Sequence, residues 1–302
     1  MLKQLQEQSR WLLSHASNVT SQCGEDGILA KALSLLPERT CWCVEFGAWD
    51  GKFCSNSYDL VTSRDYRGVF IEANSAKFPD LKQTHGASGK NVLINAFVGF
   101  TRSDSLDVLL SKCDIPKKFD LLSIDIDGND YYAWEAAEEY RPALVVIEFN
   151  PTMSNSLMFV QKKFHETKQG ASPAALVELG RRKGYELIAV TRLNLIFVSA
   201  EHYPAFGIAD NSLSLMRDDS GVPQIFIGYD GHVFLSQEGE IGSIAFPWHP
   251  FKLKESAVQV LPNRLQKYPD DYTGTERVMY RVKRGLEDPW WFLRRLMLLR
   301  RG

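Results

Sequence analysis

Cysteine is scarce in this sequence, and the pattern of the few that occur excludes several classes of protein. The five cysteines, Cys23, Cys41, Cys43, Cys54 and Cys113, are an odd number and include no C-x-x-C pair. A disulfide-stapled secreted domain or a zinc ribbon would need paired cysteines. We therefore predict reduced, buried thiols in a cytoplasmic protein rather than a disulfide or metal role.

Long apolar runs and a strong excess of one charge are also missing. The stretch "MLKQLQEQSRWLLSHAS" has no apolar run typical of a signal peptide, and no later segment could span a bilayer. The formal net charge is only −2, so we expect no nucleic-acid partner. The 302 residues, 44% hydrophobic and 24% charged, contain no internal repeat and no low-complexity linker. These values predict an ordinary globular protein.

What the sequence does contain is a regular alternation of apolar strands and short helical patterns. The predicted strands are "CWCVEFGA" (41–48), "GVFIEA" (68–73), "NVLINAFV" (91–98), "FDLLSIDI" (119–126) and "ALVVIEF" (143–149). Helical patterns precede the first strand and lie at about 56–63, 76–84, 105–111 and 130–139. Nearly continuous apolar strands are typical of a parallel sheet with both faces buried.

The end of this alternating region predicts a different connection. After a helix at "SPAALVELGRRKG", the runs "YELIAVT" and "NLIFVSA" are separated by only two residues and therefore form a hairpin. The predicted fold is thus α/β, a doubly wound, mostly parallel seven-stranded sheet whose last strand is antiparallel. We place this domain at residues 1–200. A C-terminal extension, 201–302, adds a second hairpin at 224–236, loops and a basic amphipathic helix.

Polar and small residues collect at the carboxyl ends of the predicted strands, where open α/β sheets bind ligands. They are Glu45, Gly47 and Asp50 after the first strand, Glu72 and Ala73 after the second, Val98 after the third, Asp125 and Asp127 after the fourth, and Glu148 and Asn150 after the fifth. Glycine at position 47 would allow a sharp turn and a close backbone approach to a ligand.

The order of these motifs resembles the FkbM-like group of class I S-adenosylmethionine-dependent methyltransferases over residues 21–200. The resemblance rests on "SQCGEDGILA" preceding "VEFGAWDG", followed by acidic ends on later strands. It implies a Rossmann-like domain that binds S-adenosyl-L-methionine. The cofactor-binding residues would be Glu45, Gly47, Asp50, Ala73, Val98 and Asp125, with Glu72 on the ribose hydroxyls. A generic tight turn and a surface carboxylate are the alternatives.

The same resemblance also implies a divalent metal, because catechol-type relatives bind magnesium at the ends of the fourth and fifth strands. The matching residues are Asp125, Glu148 and Asn150, although Phe149 separates a pair that is adjacent in those relatives. Oxygen ligands of this kind suit Mg²⁺ or Mn²⁺. In a metal-free variant, Asp127 or Glu148 would be the catalytic general base.

The stretch "DIDGND", residues 125–130, allows two further interpretations. It matches the DxDG motif of metal-dependent phosphohydrolases, but that motif normally lies on the first strand and is followed by threonine or valine. It could also be a turn at Asp127-Gly128, with Asn129 or Asp130 capping the next helix. A non-catalytic cofactor-binding module is a third alternative to the enzyme.

Some candidates lie outside the strand ends. His249 in "FPWHPF" is a candidate catalytic residue in a loop that would line a saccharide site, and Trp49 would shield the cofactor. Gln22, Glu25 and Asp26 would close over the site or cap a helix. We expect a hydroxyl-bearing small molecule or glycan as acceptor, and we leave a homo-oligomer open. The terminal "WWFLRRLMLLRR" predicts contact with a membrane surface or a partner.

Overall fold

Seven strands form the sheet that organises the larger part of the molecule. The computed structural model describes residues 2–163, 168–236, 239–241 and 251–290. The strands are β1 (Trp42–Phe46), β2 (Arg67–Glu72), β3 (Val92–Asn95), β4 (Leu121–Ile124), β5 (Leu144–Glu148), β6 (Tyr185–Val190) and β7 (Asn194–Ser199). Their order in the sheet is β3-β2-β1-β4-β5-β7-β6.

All pairings among β1 to β5 are parallel, while β7 runs antiparallel to both β5 and β6. The predicted doubly wound sheet with an antiparallel last strand is therefore confirmed. The strand order reverses at β1, which pairs with β2 on one side and with β4 on the other. Ligands of open α/β sheets bind beside such a reversal, so the fold directs attention to the carboxyl end of β1.

Helices precede β1, connect consecutive strands from β1 to β6, and follow β7. They are α1 (Leu2–Ser9), α2 (Glu25–Ser34), α3 (Tyr58–Ser63), α4 (Phe78–His85), α5 (Leu106–Leu110), α6 (Asp130–Ala136), α7 (Pro173–Arg182) and α8 (Leu213–Met216). Every residue of β4 is buried, as are the first four of β5. The continuous apolar runs of these strands are thus explained by burial on both faces. Large buried side chains around them include Phe46, Trp134 and Phe197.

The predicted strands are longer than the observed ones, most clearly at β3. The prediction extended this strand to Val98, whereas it ends at Asn95. β3 lies at the edge of the sheet, and its last residue pairs with Glu72, the last residue of β2. Beyond that pair no neighbouring strand is available for hydrogen bonding. Val98 therefore lies in the loop that follows β3.

Buried acidic residues anchor the segment that precedes β1. The carboxylate of Asp26 accepts hydrogen bonds from the backbone N–H groups of residues 19–21, at 2.7, 2.9 and 2.9 Å. Glu25 accepts from the backbone of Cys23, from the Thr191 hydroxyl at 2.6 Å and from the Asn194 amide at 3.0 Å. Glu25 therefore ties α2 to the turn between β6 and β7. The described contacts of both carboxylates are to the protein itself, and a role in closing over a ligand stays a prediction.

The chain divides into two compact units, Met1–Asp219 and Ser220–Gly302. The second contains β8 (Ile225–Ile227) and β9 (Val233–Leu235), which form the predicted hairpin, and β10 (Gly239–Ile241) paired with β11 (Phe251–Leu253). It also contains α9 (Glu255–Val258) and α10 (Gly274–Glu287). The predicted domain boundary at residue 200 stays a prediction. Searching the described helices reveals none that is long and apolar enough to cross a membrane.

Candidate functional site

A cleft of about 480 Å³ opens at the carboxyl ends of β1, β2 and β4. Its size is within the range of ligand-binding clefts in enzymes. Its lining includes the predicted residues Glu45, Gly47, Glu72, Ala73, Val98, Asp125 and Asp127. The structure thus brings together residues that are up to 82 positions apart in the chain (127 − 45 = 82). The folding of the sheet, with its reversal at β1, gathers them.

Gly47 connects the ends of three strands. Its N–H donates to the carbonyl of Ile71 at 3.0 Å, and an added Cβ would lie 1.5 Å from the carbonyl oxygen of Asp125. Its φ of +76° also favours glycine. The glycine therefore lets the β1 loop lie directly against the end of β4. The close approach at Gly47 is thus to the backbone of Asp125.

Glu72, the last residue of β2, is held by two backbone hydrogen bonds. One carboxylate oxygen accepts from the backbone N–H of Trp49 at 2.7 Å, and the other accepts from the backbone N–H of Asn74 at 2.6 Å. Each carboxylate oxygen has two lone pairs, so both retain an acceptor site. The side chain lines the cleft although it is almost fully buried. Glu72 can therefore accept two further hydrogen bonds from a ligand.

Glu45 has a different set of contacts from Glu72. Its carboxylate accepts from the hydroxyls of Ser55 and Ser57, both at 2.6 Å, and from the backbone N–H of Asn56 at 2.9 Å. Burial raises the pKa of Glu45, and these three hydrogen bonds oppose that rise. The carboxylate thereby orders the start of α3, and it places the Asn56 side chain in the cleft wall.

Aromatic residues surround the cleft. Trp49, Phe53 and Phe97 all line it and keep 43%, 70% and 53% of their surface exposed. Lys77 Nζ lies 4.8 Å from the centre of the Trp49 ring. Exposed aromatic faces of this kind can stack on a planar ligand group. Trp49 is thus placed where the sequence predicted it, beside the cleft.

A cluster of three carboxyl groups lies at the ends of β4 and β5. Asp125, Asp127 and Glu148 each offer a carboxylate oxygen, and these oxygens all lie within 4.8 Å of one another. Glu148 and Asp125 also line a small adjoining cavity of about 20 Å³ with Gln22, Asn56 and Asn194. A polar cavity of this size holds about one water molecule or one hydroxyl group. Lys168 donates to Asp127 at 2.8 Å from the exposed side.

Crowding changes the acidity of two members of this cluster. Burial raises the pKa of Asp125, and the nearby Asp130, Asp127 and Glu45 raise it further. Burial also raises the pKa of Glu148, with Asp125 as the next contributor. Because two adjacent carboxylates repel each other, retention of a proton by the pair is favoured. The donor set, all hard oxygen, fits a divalent cation, which would replace that proton.

The turn predicted at Asp127-Gly128 is present, and Asp130 holds it. The carboxylate of Asp130 accepts from the backbone N–H groups of Ile126 and Gly128, both at 2.8 Å. Asp127 has a left-handed φ of 55°. Two other cleft residues, Trp49 and Cys54, have φ values of 50° and 59°. Residues other than glycine rarely adopt a positive φ, because the Cβ atom crowds the backbone. The backbone at these three positions of the cleft is therefore strained.

Two predicted site residues, Asp50 and Asn150, do not line the cleft. Asp50 caps its own turn by accepting from the N–H groups of Lys52 and Phe53 at 2.9 and 2.7 Å. Asn150 Oδ1 accepts from the backbone and hydroxyl of Thr152 at 3.0 and 2.6 Å, and Asn150 lines neither cavity. Asp127 lies beside Asp125 and Glu148. His249 lies outside the described residues.

Several lining residues were not selected from the sequence. Cys54, Ser55 and Asn56 line the cleft in the run between the glycine loop and α3. Small polar residues directly before a helix could have indicated that this run lines a ligand site. Lys168 and Asn194 are more remote, and only the folded chain places them beside the acidic cluster.

Comparisons with known proteins find similarity in structure but not in sequence. No family profile and no curated protein matches the chain. Solved structures of S-adenosylmethionine-dependent methyltransferases do match it. The CMeT domain of the citrinin polyketide synthase shares 11% identity at a TM-score of 0.40, with 58% of this chain and 51% of that chain covered. This chain thus spans about half of that structure.

Two further structures are covered over most of their own length. The N-terminal domain of EvdMO1 with SAH bound shares 12% identity at a TM-score of 0.38, covering 65% of this chain and 95% of that one. An S-adenosylmethionine-dependent methyltransferase from Clostridium acetobutylicum shares 9% identity at a TM-score of 0.39, with coverages of 58% and 90%. At these identities the likeness concerns the fold alone.

Proposed function

We propose that this protein is an S-adenosylmethionine-dependent O-methyltransferase of the FkbM-like group, acting on a hydroxyl of a saccharide or a similar polar metabolite. The observation that carries the proposal is the pairing of Glu72 with the glycine loop at the strand-order reversal. Glu72 lines the cleft while its two carboxylate oxygens accept from the backbone N–H groups of Trp49 and Asn74, and each oxygen has a second lone pair. A ribose presents two adjacent hydroxyl donors, which this carboxylate could bind.

The remaining lining residues suit the rest of an adenosyl cofactor. Trp49 and Phe97 supply exposed aromatic surface for a planar base. The cleft continues from Glu72 past Gly47 to Asp125, so the cofactor's amino acid part would lie toward the acidic cluster. When bound, S-adenosylmethionine supplies an electrophilic methyl group on a sulfonium. The chain's own residues must then orient the acceptor and remove its proton.

The acidic cluster is suited to that second task. The small cavity beside Asp125 and Glu148 has room for one hydroxyl group. Transfer of the methyl group would break its bond to sulfur and leave S-adenosylhomocysteine, and the proton of the acceptor hydroxyl would pass to the carboxylate of Glu148 or Asp127. Burial raises the pKa of Glu148, so its carboxylate form is a stronger base than an ordinary carboxylate, and the group must lose its own proton before it can accept that of the substrate.

We further propose that a magnesium or manganese ion is bound by Asp125, Asp127 and Glu148. This set differs from the sequence-based one by exchanging Asn150 for Asp127, since the Asn150 oxygen is bonded to Thr152. The ion would act as a Lewis acid that lowers the pKa of an acceptor hydroxyl. The phosphohydrolase alternative has less support, because its motif would lie on β4, the central strand beside β1, rather than on the first strand.

The decisive experiment is calorimetric titration of S-adenosylhomocysteine into the wild type and the Glu72→Ala variant. We expect binding to the wild type and at least about a tenfold loss in Glu72→Ala, because two charge-assisted hydrogen bonds are removed. Glu38→Ala, an exposed acidic residue, is the matched control and should bind normally. Equal affinity of Glu72→Ala and wild type would disprove the ribose assignment.

A screen of hydroxyl-bearing acceptors addresses the substrate class. Methyl transfer from labelled cofactor to saccharides would support it. Transfer only to amines or carbon acids, with intact cofactor binding, would retain the cofactor assignment and reject the O-methyl one. Release of phosphate from phosphate esters would instead favour the phosphohydrolase.

A further inference from the structure

The helix α10 of the second unit carries an apolar face that the described residues leave exposed. Val278, Val282 and Leu286 are four residues apart along the helix, and they are 58%, 56% and 80% exposed. Because side chains at this spacing share one helix face, they form a continuous stripe of about 12 Å. Met279 borders the stripe, and Trp290 follows the helix, also exposed. We call these residues the α10 stripe.

Basic residues flank the stripe. Arg277 and Arg281 are exposed, one position before Val278 and Val282. Lys283 and Arg284 belong to the same helix. A helix that combines an aliphatic stripe with flanking arginines and a nearby tryptophan has the composition of helices that lie flat in a membrane interface.

The acidic residues of α10 do not offset this charge at the stripe. Glu276 also caps the helix, since its carboxylate accepts from the Thr273 backbone, and it forms an ion pair with Lys267 at 2.8 Å. Glu287 pairs with Lys283 at 2.7 Å. Both carboxylates are thus engaged by lysines, which leaves the arginines beside the stripe to set the local charge. The local field is therefore positive where the apolar surface is exposed.

We propose that α10 docks on a bilayer surface containing anionic lipid, with the α10 stripe in the boundary between headgroups and acyl chains. Charge complementarity selects this occupant. A second copy of the helix would bring Arg277 and Arg281 toward a like-charged partner, which disfavours self-association. An anionic headgroup layer instead attracts them. The sequence after α10 adds Arg294, Arg295, Arg300 and Arg301 and no acidic residue beyond Asp288.

Vesicle co-sedimentation of the full chain tests this proposal. The two probes are vesicles of phosphatidylcholine alone and vesicles that also contain phosphatidylglycerol. We expect strong binding to the mixed vesicles, weak binding to the neutral ones, and loss of binding as salt is added. The Arg277→Gln/Arg281→Gln variant should bind the mixed vesicles roughly 30-fold more weakly, since each basic residue contributes about a factor of five at an anionic surface.

A second variant tests the apolar contribution. Val282→Glu/Leu286→Glu should abolish sedimentation with either vesicle. The matched control is Val19→Glu, the same change at an exposed valine of the first unit, which should bind like the wild type. All of these positions are exposed, so circular dichroism should be unchanged. Undiminished binding of Val282→Glu/Leu286→Glu would overturn the proposal. A wild-type dimer that binds no vesicles, and that this variant dissociates, would overturn it in favour of a second copy.

Discussion

At the scale of single residues, the proton held between Asp125 and Glu148 should compete with a metal ion. The pKa of both groups is raised, so near neutral pH the pair retains a proton that a bound cation must displace. Because burial raises the pKa of Asp125 to about 8 and that of Glu148 to about 9, we expect the affinity for Mn²⁺ to increase with pH up to about 9, and binding to release protons. Calorimetry in two buffers of different ionisation enthalpy measures that release.

The control for this prediction is the Asp125→Asn/Glu148→Gln variant, which should neither bind Mn²⁺ nor release protons. Mn²⁺ affinity that does not change with pH would contradict the raised pKa values. Absence of any binding to the wild type would reject the metal and leave Glu148 or Asp127 as a metal-free base.

The sequence anticipated this residue cluster in part. Asp125, Asp127 and Glu148 could be selected because each ends an apolar strand, and parallel strands end at one edge of the sheet. Asn150 was predicted because an amide is a possible metal ligand. Its side chain instead accepts a hydrogen bond from Thr152 in the loop after β5, and that loop has no periodic pattern from which this contact could be predicted. Lys168 lies 41 residues from Asp127 (168 − 127 = 41), so nothing local relates the two.

At the scale of secondary-structure elements, Glu25 connects α2 to the β6–β7 turn, which is more than 160 residues later in the chain. Its carboxylate is fully buried and accepts from Thr191 and Asn194. Glu25→Ala would leave these donors buried without an acceptor, so we expect a loss of roughly 3 kcal/mol in the free energy of unfolding. Urea unfolding measures it.

Glu25→Gln keeps an acceptor oxygen and should lose less stability than Glu25→Ala, while the exposed Glu38→Ala should change the free energy by less than about 0.5 kcal/mol. Similar urea midpoints for Glu25→Ala and Glu38→Ala would show that the hydrogen bonds of Glu25 contribute nothing to the free energy of unfolding. The sequence correctly predicted a helix before β1, but it left two roles open for Glu25, a helix cap or a group that closes over the site. Its true partners are more than 160 residues away, beyond what helical periodicity can indicate.

Element type was the most predictable property of this chain, and element length the least. Continuous apolar runs identified every strand of the sheet, because burial on both faces requires them. Strand ends depend on the neighbouring strand, as the Glu72–Asn95 pair shows for β3. A single strand's sequence does not contain that information.

At the scale of the whole molecule, the described lining of the cleft belongs entirely to the first unit, from Gln22 to Lys168. We therefore expect a fragment of residues 1–219 to unfold cooperatively and to bind S-adenosylhomocysteine as tightly as the full chain. Circular dichroism and calorimetry measure the two properties. A fragment that folds but binds more weakly would show that residues beyond 219 contribute to the cofactor site.

The strained backbone around the cleft lowers the stability of the fold while it sets the shape of the cleft wall. Trp49, Cys54 and Asp127 hold left-handed conformations that glycine would adopt freely. Each costs on the order of 1 kcal/mol relative to glycine, and all three side chains line the cleft. In a laboratory selection for heat resistance alone, glycine at these positions should therefore be enriched. The surviving chains would keep the sheet and lose the surface that shapes the ligand site.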